Sequence, residues 1–118
     1  MDVLCAMNDA PLDLSTLTEL FGHDEQTQQA ILSAYSSSLS EYQLEFEQAI
    51  DECSAAKVQA VAHKMKSSSR TVGALPLADL CDLLESAGKH GDWPQVEALA
   101  EEFISAIGAV RAFIASDL

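Results

Sequence analysis

The sequence predicts an all-α protein: an antiparallel, up-down-up-down four-helix bundle with a short extra helix at its N-terminal end. Three observations carry that expectation. Only five Gly and three Pro interrupt 118 residues rich in Ala, Leu, Ser, Glu and Gln, a balance that favours helices over a sheet. Apolar residues recur at steps of three and four along successive stretches. Cap and turn signals separate those stretches by a few residues, and short connections make neighbouring helices antiparallel.

Residues 1–11 read as a flexible lead-in that ends at Pro11, and residues 12–118 as one domain. A short helix is expected over 13–21, with Leu14, Leu17 and Leu20 on one face and Gly22 as its stop. Asp24 then caps a long helix running to about residue 52. Its stripe is Ile31, Leu32, Tyr35, Leu39, Tyr42, Phe46 and Ile50. Ser54 caps the next helix, whose inward positions are Val58, Val61, Ala62, Met65, Ser69 and Val72. Gly73 ends it in the left-handed conformation that a residue without Cβ adopts freely. Pro76 suits the first turn of a fourth helix, which buries Leu77, Leu80, Cys81 and Leu84 and stops at Lys89-His90-Gly91. Asp92 caps the last helix, with Trp93, Val96, Leu99, Phe103, Ile107, Val110 and Ile114 on its buried side.

Charge narrows the function classes. Nineteen acidic against six basic residues give a net charge of −13, which argues against nucleic acid and anionic membrane surfaces as partners. No apolar run approaches membrane-spanning length, and no basic start with an apolar core marks a signal peptide. Cys5, Cys53 and Cys81 are odd in number and far apart, a pattern that fits a reducing, cytoplasmic compartment. Metal is not expected: His23, His63 and His90 lack ligand spacing. Neither a phosphate-binding Gly-rich loop nor a nucleophile-elbow serine motif is present, so catalytic-triad chemistry lacks support and the chain is not expected to bind ATP by that route.

Against this acidic background, Lys57, Lys64, Lys66 and Arg70 fall within fourteen positions, and no Asp or Glu occurs between Cys53 and Ala78. That cationic island surrounds His63. At helical spacing, His63 shares a face with Lys66, Ser67 and Arg70, opposite or beside the apolar stripe and therefore exposed. One turn back, Ala56, Gln59 and Ala60 are small or uncharged and, with Lys64, form a surface that a partner can approach. A neutral imidazole is a competent nucleophile. Lys66, one turn on, offsets the negative charge that builds when a phosphoryl group is attached. A helix-borne histidine is by itself more often a plain surface residue than a phosphoryl acceptor.

The segment His63-Lys64-Met65-Lys66-Ser67-Ser68-Ser69-Arg70-Thr71-Val72-Gly73-Ala74, continued by Leu77-Ala78-Asp79-Leu80-Cys81-Asp82-Leu83-Leu84-Glu85, resembles the histidine-containing phosphotransfer (HPt) domain family over about residues 62–85. The resemblance implies that His63 carries the phosphoryl group on Nε2 and that Lys66 steadies it. Ser67 and Ser68 would line the surface beside the ring, Gly73 would let its helix end tightly against the next, and Glu85 would orient the imidazole. The family usually has Gly where this chain has Ser67, and Leu where it has Met65, a volume-conserving change.

The implied function is a phosphotransfer intermediate without cofactor. It accepts a phosphoryl group from a receiver-domain aspartate and passes it to another response-regulator receiver, with the Mg²⁺ held by the receiver. A hybrid sensor kinase is the expected donor, and the chain is either a free-standing monomer or a domain from the end of such a kinase. The alternative is a helical module that docks on a receiver or kinase and blocks or scaffolds signalling without transfer.

Overall fold

The computed structural model describes residues 11–117. The expected lead-in, apart from Pro11, and Cys5 lie outside the described residues. Five helices follow in order: α1 Leu14–Phe21, α2 Glu25–Asp51, α3 Ala55–Val72, α4 Leu75–Lys89 and α5 Trp93–Asp117. The long helices pack α2 on α3, α3 on α4, α4 on α5 and α5 back on α2. That ring of neighbours is the up-down-up-down bundle.

The caps explain the boundaries. Asp13 accepts from Ser15 N, Asp24 from Gln26 N and Ser54 from Lys57 N, each satisfying a helix N–H that has no intrahelical partner. Helix α1 starts one residue later than expected because Asp13 is its cap. Cys53, with φ of 52°, takes the left-handed turn between α2 and α3. Gly73, with φ of 86°, ends α3. Its backbone is pressed against α1, where a Cβ would stand 2.3 Å from the Asp13 carbonyl oxygen, and its own carbonyl accepts from Asp13 N at 2.8 Å. The tight approach at Gly73 is therefore to the start of α1 rather than to the next helix.

The expected stripes form the core. All six inward positions of α3 are buried, as are Leu32, Tyr35, Leu39 and Phe46 of α2, and Val96, Leu99, Phe103, Ile107, Val110 and Ile114 of α5. The Phe46 and Phe103 rings meet edge to face at 4.7 Å, a geometry that complements the ring quadrupoles. One polar bond crosses this core: Tyr35 Oη to Ser69 Oγ, 2.6 Å, joining α2 to α3. Burial pushes the Tyr35 phenol well above its ordinary pKa, so it stays neutral.

Helix α1 departs from expectation. Only Leu17 of its three leucines is buried, while Leu14 and Leu20 are exposed. A two-turn helix lying against the bundle's end presents a narrow strip to it. Leu12, just before the cap, fills the remaining space.

Candidate functional site

Helix α4 runs antiparallel to α3 in a register read from their contacts. Gly88 lies on Gln59, Glu85 on His63 and Asp82 on Lys66. Gly88 makes this closeness possible. A Cβ there would stand 2.7 Å from Ala55 O and 2.9 Å from Gln59 N, inside any tolerable contact with backbone. One turn before it on α4, Glu85 reaches across to α3.

His63 projects from the middle of α3 with its side chain 70% exposed, and its Nδ1 lies 2.7 Å from Glu85 Oε2. An ionised carboxylate only accepts hydrogen bonds, so Nδ1 carries the proton. In the neutral ring the lone pair then falls on Nε2, and the exposed ring keeps that nitrogen reachable. The same carboxylate serves Lys66, whose Nζ is 2.5 Å from Glu85 Oε1 and 3.3 Å from Asp82 Oδ1. Lys66 and then His63 hold the Glu85 carboxyl below its usual pKa against the opposing effect of burial, while Glu85 and then Asp82 hold the Lys66 ammonium above its own. The cluster is thus a linked triad on two helices: an imidazole and an ammonium sharing one carboxylate.

The cationic island of the sequence is largely neutralised in space. Lys57 pairs with Glu52, Lys66 with Glu85 and Asp82, and Lys64 with Glu45 at 2.8 Å. Lys64 also lies over the Tyr42 ring at 5.8 Å, which turns it toward α2 and away from His63. Among the described residues Arg70 makes no ion pair. It lies two turns from His63, about 10 Å along the axis. Sequence distance hid the Lys64 and Lys66 pairs, whose acids come from α2 and from α4, while Glu52 sits in the turn just before α3.

Of the remaining candidates, Ala56, Gln59, Ala60 and Ser67 share the His63 face, whereas Ser68, five residues on, lies off it. Ala56, Ala60 and Ser67 are exposed, and Gln59 and Ser68 are half-buried. Ser68 Oγ donates to its own helix at Met65 O. Gly73 is at the far end of α3 and belongs to the packing of α1. Asp82 and Gly88 went unrecognised in the sequence. Asp82 precedes Glu85 by three residues, the spacing of one helix face, and Gly88 is a mid-helix glycine that a close neighbour explains. Cys81 is buried behind the site, its thiol pushed up to about 12 by burial, so it packs rather than reacts. Among the described residues no group of three or more His, Cys, Asp or Glu is placed to hold a metal ion, and no helix is long and apolar enough to cross a membrane.

The comparisons with known proteins agree with this geometry. No curated protein matches the chain at a significant level. Histidine-containing phosphotransfer protein B from Pseudomonas aeruginosa PAO1, a crystal structure, has a similar fold: TM-score 0.81 at 24% identity, covering 92% of this chain and 95% of that one. The family model of the Hpt domain matches residues 30–113, from early α2 into the last turns of α5 and across the whole His63–Glu85 pairing. A bundle of this topology, matched over well over half its length by that family, belongs to the Hpt domains, the histidine phosphotransfer modules of phosphorelays.

Proposed function

We propose that His63 is the phosphoryl acceptor of this Hpt domain, that it takes the group from the phospho-aspartate of a receiver domain, and that it passes it to the aspartate of a second receiver. The observation that carries the reading is the exposed imidazole with Nδ1 tied to Glu85. The Nε2 lone pair attacks phosphorus. The N–P bond forms as the bond from phosphorus to the aspartyl oxygen breaks, and the aspartate leaves as a carboxylate. As Nε2 gives up its lone pair the ring becomes cationic, and Glu85 stabilises that charge through Nδ1–H. Lys66, held one turn away, offsets the charge of the incoming phosphoryl oxygens. The reverse step onto the second receiver uses the same groups.

In this reading the domain supplies position and charge, and the receiver supplies Mg²⁺. Ala56, Gln59, Ala60 and Ser67, with the aliphatic part of Lys64 at the edge, form the surface on which receivers dock. The contact is modest and transient. The domain works as a monomer in the cytoplasm, with a hybrid sensor kinase among its donors.

Incubation with a radiolabelled phospho-receiver tests the proposal. The wild-type chain is expected to acquire acid-labile, base-stable label, and His63→Gln none, with unchanged helical circular dichroism. Label that persists in His63→Gln would move the acceptor elsewhere. A chain that binds the receiver without labelling would be a blocking module.

A further inference from the structure

The face of the bundle opposite the α3/α4 pair is the seam between α2 and α5, and it is open. Toward the α2–α3 turn it holds a groove of about 250 Å³ with Phe46, Ile50, Ala100 and Ile104 at its floor. Its rim is Glu47, Asp51 and Glu101, and among the described residues none of these three has a cationic partner. The seam continues as a depression of about 540 Å³ where α2 serines face Arg111. Between the two, α5 carries Gly108, four residues after Ile104 and three before Arg111, hence on the same face. A Cβ at Gly108 would meet nothing within 4 Å. Glycine in a helix interior costs about 1 kcal/mol relative to alanine. Gly73 and Gly88 have neighbours inside the chain that require them, and Gly108 has none.

An apolar floor ringed by uncompensated carboxylates, beside a helix position kept bare, fits one kind of occupant. We infer that the α2/α5 seam docks an amphipathic helix of a partner protein, with apolar side chains at i, i+3 and i+4 spacing entering over Ile50 and Ile104, flanked by Lys or Arg that meet Glu47, Asp51 and Glu101. Charge complementarity selects a basic helix over a second copy of this chain, which carries a net charge of −13. A helix on this seam leaves His63 free, so one partner holds the domain while receivers exchange on the other face. Tethering of that kind raises the effective concentration of the transfer partners. The inference is independent of the role proposed for His63.

The probe is a synthetic helical peptide of about sixteen leucines and lysines with leucines at i, i+3 and i+4 spacing, beside the same peptide with glutamate for lysine. Binding is measured by calorimetry on the whole chain. The lysine peptide is expected to bind and the glutamate peptide not. Gly108→Gln fills the bare position with a good helix former, so it is expected to keep or raise the melting temperature and to weaken binding at least tenfold. Glu47→Lys/Glu101→Lys is expected to weaken it at least tenfold, and the charge-matched Glu19→Lys/Asp79→Lys less than threefold. Equal losses in the two charge variants would reduce the effect to net charge and overturn the proposal. So would wild-type binding by Gly108→Gln, equal binding of both peptides, no binding at all, or a concentration-dependent dimer abolished by Gly108→Gln, which would make a second copy the occupant.

Discussion

The Nδ1 of His63 lies 2.7 Å from Oε2 of Glu85, a carboxylate on the neighbouring helix 22 residues further along the chain. This contact fixes the tautomer, limits rotation of the ring and links the imidazole to Lys66 through the other carboxylate oxygen. The contact in turn depends on how closely α4 lies against α3, which Gly88 permits.

Glu85→Ala removes the Nδ1 acceptor and leaves Lys66 with Asp82 alone. Receiver-to-domain transfer is expected to slow by about ten- to a hundredfold, by analogy with the loss when the hydrogen-bonding partner of a metal-bound histidine is removed. Glu85→Gln keeps a carbonyl acceptor for Nδ1–H and is expected to recover part of that loss. Rapid-quench phosphotransfer kinetics check both, and equal rates for wild type and Glu85→Ala would remove Glu85 from the mechanism.

The same carboxylate gives stability a pH dependence. Lys66 and then His63 lower the folded-state pKa of Glu85 below its ordinary 4.5. Its stabilising effect is therefore present above that value and lost as the pH falls through the folded-state value. Urea denaturation between pH 6 and pH 3 is expected to show a steeper loss for wild type than for Glu85→Gln, whose side chain does not ionise.

Glycines 88 and 108 are expected to respond oppositely to alanine. At Gly88 the new methyl collides with backbone of α3, so Gly88→Ala is expected to cost about 1–3 kcal/mol and to slow transfer by displacing Glu85. At Gly108 it enters open space, so Gly108→Ala is expected to stabilise by up to about 1 kcal/mol. Chemical denaturation and transfer kinetics on the two variants check this.

The Tyr35–Ser69 bond is the buried polar point of the α2/α3 contact, whose other polar link, Lys64 to Glu45, is exposed. Tyr35→Phe strands a buried Ser69 hydroxyl at a cost of about 1–3 kcal/mol. Adding Ser69→Ala removes the stranded group, and the double variant is expected to recover much of the loss. Denaturation midpoints of the four chains in the cycle measure the coupling.

Local rules reached far into this chain. The caps at Asp24 and Ser54, the left-handed stop at Gly73 and the buried stripes of the long helices all follow from contacts within a few residues along the chain. Helix α1 was less legible, because a short helix at the end of a bundle buries whatever the bundle's end can accept. Three apolar positions on one face did not reveal that Leu17 goes in while Leu14 and Leu20 stay out.

The proposed site divides the same way. Helical periodicity alone put His63 on an exposed face with Lys66 one turn along, because both belong to α3. The sequence also showed a cationic island, and folding neutralised most of it, since Glu45, Glu52, Asp82 and Glu85 come from segments outside the 57–70 stretch. Which acid meets which base depends on the α3/α4 and α2/α3 registers, and close packing against Gly88 and the buried Tyr35–Ser69 pair help hold those. The amino-acid sequence by itself determined the helices, their inward faces and the candidate nucleophile. The tertiary structure alone decided that Glu85, which the family resemblance had linked to the imidazole, would also hold the Lys66 ammonium through its other oxygen, because only packing brings residues that far apart in the chain within hydrogen-bonding distance.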